Sequence, residues 1–388
     1  MSLKDPSAYR LALPRRSVLG AGLGGLGSLG LGLGVQQGAH ASESAAARTQ
    51  LVFPRDAGAH PDFATEWWYV TGYINIDSGG SDAVPAFGFQ VTFFRSRIAK
   101  TQEMQSHLAA RQLIFAHAAL TDIHGKKLWH DQRIARASGA EPGKNPIDTA
   151  SASMQDTSVS LRDWSLQREG GDLQAKIQGT EFSLALRLSA TQPILLQGDR
   201  GLSRKGPDPK QTSYYYSLPH LQVGGTLVLQ GKSHAVGAGS TAWLDHEWSK
   251  EMLPPEASGW DWIGINLLDG GALTAFRVRD KSGGAMWDGG SFRAKDKLFN
   301  FQRGEVVFQP LRLWKSPLSQ AIYPVEWLVR TPADFYTVRA VLDNQELDSR
   351  ASTGAIYWEG LCEVWDSNRK MVGRGYLEMT GYAAPIRL

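Results

Sequence analysis

The sequence predicts an all-β protein, and three observations carry that prediction. From Leu51 onward, short runs rich in aromatic and β-branched residues recur, many alternating apolar and polar positions with period two. Glycine- and aspartate-rich punctuation separates them, as at Asp77-Ser-Gly-Gly80, Glu169-Gly-Gly171 and Asp269-Gly-Gly271, which is the chemistry of tight turns. Convincing helical periodicity is rare. Short strands at this spacing indicate sandwiches or barrels.

The first element is an address rather than a fold. Residues 1–41 carry a twin arginine, Arg15-Arg16, then a glycine-diluted apolar run from Val18 to Val35, then Ala39-His-Ala41. This pattern predicts a twin-arginine export signal cleaved after Ala41, hence a periplasmic or secreted protein with no membrane anchor after processing. The run's glycines make it a poor spanning helix. Removing it takes away Lys4, Arg10, Arg15 and Arg16 against Asp5, so the formal charge falls from +3 to zero. The basic balance belongs to the signal, and nucleic-acid binding, which needs a basic stripe, is not expected. Cys362 is the only cysteine, so no intramolecular disulfide forms, and a chain this long buries enough apolar surface without one.

Strands are expected over Glu66–Ile74, Phe87–Phe94, Leu113–Leu120, Phe182–Leu188, Gly225–Leu229 and Leu273–Arg279. Ala137–Asp156, with Pro142 and Pro146, reads as a surface loop. Arg200–Lys210, with Pro207 and Pro209, reads as a solvated basic loop in preference to an anion site. Leu253-Pro-Pro255 marks a joint and predicts two domains, residues 48–253 and 256–388.

The richest chemistry lies beside that joint, in Thr241-Ala-Trp-Leu-Asp-His-Glu-Trp248 and Gly259-Trp-Asp-Trp-Ile-Gly264. As a strand, the first segment places Trp243, Asp245 and Glu247 on one face and Leu244, His246 and Trp248 on the other. In the second, Trp260 and Trp262 share a face and Asp261 points away. Two readings compete. One is a ligand or catalytic wall, with ionisable groups held against aromatic surface. The other is a core strand whose carboxylates pair with arginines. Glu66 and Trp68 share a face and offer the same acid-plus-indole pair, and Tyr215 faces opposite Tyr214 and Tyr216. His117, mid-strand in an apolar run, reads as a satisfied core histidine. His60, His107, His124 and His130 lack metal-ligand spacing, and no zinc pattern, nucleotide loop or G-x-S-x-G elbow occurs. No metal site is expected.

Several motifs together resemble the AttH-like and carotenoid 1,2-hydratase-like family. They are Phe53-Pro-Arg-Asp56, Thr65-Glu-Trp-Trp-Tyr69, Phe115-Ala-His-Ala-Ala-Leu-Thr-Asp122, Gly201-Leu-Ser-Arg-Lys-Gly206 and Ser213-Tyr-Tyr-Tyr-Ser217. The match continues through Ala242–Trp248, Gly259-Trp-Asp-Trp262, Tyr357-Trp-Glu-Gly360 and Gly373–Tyr382. The resemblance spans nearly the whole chain after the signal. It implies two lipocalin-like antiparallel β-barrels packed together and no metal or organic cofactor. It also implies a hydrophobic ligand, isoprenoid, polyene or lipid-like. The implied chemistry is a hydratase-like hydro-lyase or isomerase, in which a buried acid protonates an alkene, indoles support the cation and a base directs water. The expected acid–base residues are Asp245, His246 and Glu247. Glu66, Trp68, Tyr215, Trp248, Trp260, Asp261 and Trp262 are expected against the ligand. Family hydratases carry tyrosine and aspartate where this chain has Phe276-Arg277, which favours the AttH side. The alternative function is a non-catalytic periplasmic carrier or chaperone serving a membrane transporter complex of the ABC export type.

Overall fold

A computed structural model describes residues 50–76, 85–106 and 108–386. The predicted signal segment, the predicted Asp77-Ser-Gly-Gly80 turn and His107 lie outside them. The regular structure of the described residues is almost entirely strand, with two three-residue 3-10 turns, and no described helix is long and apolar enough to cross a membrane. The all-β expectation holds because the period-two runs do bury one face each. Phe182–Ser189, for example, alternates buried Phe182, Leu184, Leu186 and Leu188 with more exposed partners.

Two antiparallel sheets account for the chain. The first runs Lys127–Ala137, Gln112–Asp122, Pro85–Arg97, Thr65–Asn75, Thr241–Glu251, Thr212–Leu229, Phe182–Ser189, Asp172–Gln178, Trp164–Glu169, Ser158–Leu161 and Ala150–Ala152. Its two ends come back together, so it curls into a nearly closed barrel around one core. The long strand Thr212–Leu229 makes the corner. Its register slips between Leu218 and Leu221, where His220 adopts a positive φ, so its first half pairs with Thr241–Glu251 and its second with Phe182–Ser189.

The second sheet runs Lys297–Phe301, Ala285–Ala294, Ala272–Asp280, Ala257–Leu267, Met371–Met379, Ala355–Trp365, Phe335–Ala340, Ile322–Arg330 and Val307–Lys315. It wraps a separate core containing Trp327, Trp358 and Tyr323. The last strand of the first sheet ends at Glu251 and the first of the second begins at Ala257, with Pro254-Pro255 between them. Where the sheets meet, Tyr69 and Trp243 from the first pack with Trp262, Phe276, Leu361 and Tyr376 from the second. The approach is close at Gly88, where a Cβ would lie 2.9 Å from Leu361 Cβ.

Candidate active site

The strand Thr241–Glu251 has both faces buried, and they serve different ends. Its pairing with Thr65–Asn75 places His246 opposite Trp68, Trp248 opposite Glu66 and Asp245 opposite Tyr69. Directly opposed residues share a face. His246, Trp248, Glu66 and Trp68 therefore face the first barrel's interior, and Asp245, Glu247, Trp67 and Tyr69 face the second sheet.

The inner face holds a closed ionic network. Glu66 Oε1 accepts from His60 Nδ1 at 2.7 Å and His246 Nε2 at 3.0 Å, and Oε2 accepts from Arg95 Nε at 2.7 Å. The backbone N–H of His60 also donates to Glu66, and His60 Nε2 meets Asp56 Oδ1 at 3.2 Å. His60 stacks on Trp248 at 3.8 Å, and His246 on Trp68 at 4.7 Å. Burial pushes the Glu66 carboxyl up. Hydrogen bonds from His246 and His60 and the charge of Arg95 outweigh it and hold the group well below the usual carboxylate range. Burial pushes His246 down to about 4 despite Glu66 beside it.

His60, Glu66 and His246 present ligand atoms all within 4.8 Å, a convergence that spacing along the chain does not reveal. Imidazole, imidazole and carboxylate suit a divalent ion chemically. Here protein donors already occupy the Glu66 oxygens, so the network is satisfied as it stands.

The outer face borders an apolar cavity of about 690 Å³ lined by residues of both sheets, within the usual range for a small-molecule site. Trp67, Phe94, Phe115, Trp260, Trp262, Phe276, Val278 and Ile356 supply apolar wall. The C-terminal segment Ala384-Pro385-Ile386 closes one side, pinned by the Ile386 N–H donating to the Ser258 carbonyl.

Acids face this room. Asp245 accepts from Ser217 Oγ at 2.5 Å, Trp243 Nε1 at 2.6 Å and the Tyr215 hydroxyl at 2.7 Å. Burial nevertheless raises it to about 7. Tyr215 accepts in turn from Trp262 Nε1 at 3.2 Å, joining the two walls. Glu247 takes an ion pair from Lys205 Nζ at 2.8 Å and a short hydrogen bond from Ser213 Oγ. Lys205 lies over the rings of Tyr215 and Phe276. It is buried, which corrects the expectation that Arg200–Lys210 is wholly a solvated loop.

Two further carboxyls complete the wall. Glu359 and Glu378 sit directly opposite each other on paired antiparallel strands, and both line the cavity. Burial raises both, and the charge of Glu378 raises Glu359 further. Like charges opposed in an apolar site cannot both ionise, so the pair holds a proton at neutral pH. Glu359 is the deeper. Glu378 keeps some accessible surface towards the cavity and has a hydrogen bond from Trp260 that lowers it.

The sequence-derived site therefore divides. Asp245, Glu247, Trp260 and Trp262 border the cavity and Tyr215 bridges two of them. His246, Trp248 and Trp68 sit behind the wall, and Glu66, which also lines the cavity, spends its carboxylate on the inner network. Asp261 faces away into the second barrel, held by Arg277 Nε at 2.6 Å, Arg279 Nε at 2.9 Å and the Tyr382 hydroxyl at 2.8 Å. Alternation along the strand puts His246 and Trp248 on the opposite side from Asp245, away from the cavity. Arg277 pairs with Asp261, and Phe276 lines the cavity. His117 is hydrogen-bonded through both ring nitrogens, to the Tyr357 hydroxyl at 2.9 Å and Ser352 Oγ at 2.8 Å. It also lines the cavity, where burial keeps it neutral at about 3. Sequence reasoning missed Tyr69, Lys205, Glu359 and Glu378 as site residues. Glu359 and Glu378 lie within the quoted motifs, and two acids on apolar strands were the available signal.

Fold and site together define a double β-barrel protein with an acid-walled apolar cavity between the barrels. The chain belongs to the AttH-like family, whose model matches residues 44–382. A Nitrosomonas europaea protein assigned as an AttH has a crystal structure that superposes with a TM-score of 0.78 at 44% identity, covering 88% of this chain and 98% of that one. Kievitone hydratase from Nectria haematococca shares the fold, with a TM-score of 0.63 at 15% identity over 87% and 94% of the two chains. CghA does so with a TM-score of 0.51 at 12% identity over 87% and 95%. No curated protein matches.

Proposed function

We propose that the protein binds an uncharged apolar small molecule in this cavity and moves a proton on it, as a cofactor-free, hydratase-like hydro-lyase or isomerase. The observation that carries this reading is the opposed Glu359–Glu378 pair in an apolar room. One carboxyl of the pair is kept protonated and its neighbour is ready to accept a proton, which is the division of labour general acid–base catalysis needs. Trp260 and Trp262 supply π faces able to hold positive charge developing on a ligand, worth roughly 2 kcal/mol each when desolvated. The fold shared with a protein named as a hydratase agrees with this chemistry. Export through the twin-arginine route, supported by Arg15-Arg16 and Ala39-His-Ala41, is part of the same proposal and would put the site in the periplasm or outside the cell.

Solvent extraction of freshly purified protein followed by mass spectrometry tests it. The expected result is a neutral apolar compound that wild-type protein converts by gain or loss of one water, or labels with deuterium in heavy water. Glu378→Gln should bind the compound and leave it unchanged. A bound compound that wild-type protein returns unaltered and unlabelled would remove the catalytic half and leave a carrier.

A further inference from the structure

Two buried side-chain atoms among the described residues of the cavity wall have no hydrogen-bond partner: the Tyr69 hydroxyl and Glu359 Oε1. Such atoms are rare in folded proteins, because each forgoes water without replacement. These two come from different sheets and meet at the same wall. Each weighs on the other's ionisation, yet the pair falls short of hydrogen-bond geometry. The Tyr357 hydroxyl, which is hydrogen-bonded with His117, also lies beside Glu359.

We infer that Tyr69 and protonated Glu359 form a two-donor clamp for a carbonyl oxygen, so that the substrate class is an apolar enone or related conjugated ketone. This rests on the cavity reading above and narrows it. A phenol and a neutral carboxylic acid converging in an apolar site favour an oxygen that gains negative charge, the arrangement that stabilises dienolates in ketosteroid isomerase, a different protein. Hydration then proceeds by conjugate addition. Water oxygen bonds to the β-carbon, the alkene π pair shifts to form a double bond between the α-carbon and the carbonyl carbon, and the carbonyl π pair moves onto oxygen, giving an enolate held by both donors. Glu378, as carboxylate, takes the proton released by the water and returns it to the α-carbon. The enolate electrons form the new C–H bond and the carbonyl is restored. One water is added and no oxidant or reductant is used. Without water, removal of a proton from one carbon by Glu378 and its return to another shifts the double bond instead.

The test uses 4-nitrophenol, whose phenolate mimics the enolate and is visible by its colour, with N-phenyl-1-naphthylamine as a neutral apolar control. Wild-type protein should bind the phenolate in preference to the phenol, so that the coloured fraction of bound ligand exceeds that of free ligand at the same pH. Tyr69→Phe and Glu359→Gln should each weaken phenolate binding at least tenfold and leave the naphthylamine affinity unchanged. Equal affinity in Tyr69→Phe, or a bound 4-nitrophenol no more ionised than the free one, would overturn the clamp. The wild-type ionisation measurement decides the matter even where a variant does not fold. If the naphthylamine itself does not bind, the cavity reading fails, which separates that failure from failure of the clamp.

Discussion

At the scale of single residues, His246 and Asp245 are adjacent in sequence and opposite in role. His246 is enclosed by Trp68, Trp248, Tyr216 and Glu66 inside the first barrel. His246→Gln should therefore cost on the order of 1–3 kcal/mol of stability. Thermal unfolding should show that loss, and binding of N-phenyl-1-naphthylamine should not change. A variant with normal stability and lost ligand binding would reverse the assignment. Asp245 makes a prediction about pH. Its carboxyl titrates at about 7 folded against an ordinary 3.8, so between those values the folded state keeps a proton that the unfolded state has lost. Its stabilising contribution is complete below the lower value and disappears as pH rises through the upper one, falling by at most about 1.4 kcal/mol for each step of one in pH. Glu66 acts in the opposite sense, stabilising above its ordinary 4.5 and losing that contribution in acid. Urea unfolding from pH 4 to 7 should show the decline, to which the raised Glu359 and Glu378 also contribute, and Asp245→Asn should make it shallower. An equally steep profile in the variant would assign the slope to other groups.

At the scale of elements, the two sheets are brought into register by small residues. Gly88 lets the strand Pro85–Arg97 lie against Leu361 and the Tyr376 hydroxyl, each 2.9 Å from where a Cβ would stand. Gly88→Leu should separate the sheets at that point, destabilise the protein by about 1–3 kcal/mol and weaken dye binding together with stability. Unaltered melting would show that the contact yields. Strand existence and facing were legible in the sequence because side chains alternate with a fixed period of two. The separation of Trp243, Asp245 and Glu247 from His246 and Trp248 follows from that alone. The cavity was not legible, because it lies where two sheets pack and its wall joins Tyr69 to Glu359 across most of the chain. Chemical density along the chain pointed to His246 and Asp261, yet each is consumed by partners behind the wall. The opposed carboxyls Glu359 and Glu378 are spaced out among apolar neighbours on Ala355–Trp365 and Met371–Met379, where an acid on an apolar strand was the one local signal.

At the scale of the whole molecule, one export signal is proposed to precede one folded pair of barrels. A lone buried Cys362 leaves no intramolecular disulfide to be made after translocation, which suits a route that carries folded proteins. Replacing Arg15 and Arg16 with lysine should leave uncleaved precursor in the cytoplasm, read by fractionation and immunoblotting. Normal processing in that variant would rule out the twin-arginine route.

The tail that closes the cavity has a practical consequence. Ile386 is part of the wall. An affinity tag fused directly after Ile386 would begin at a wall residue of the cavity, where an oligohistidine or a linker can reach in and supply imidazoles to the acids. Dye binding, co-purified compounds and apparent metal affinity measured on such a fusion report on the tag as much as on the protein. A tag inserted after the proposed signal is not attached to a wall residue.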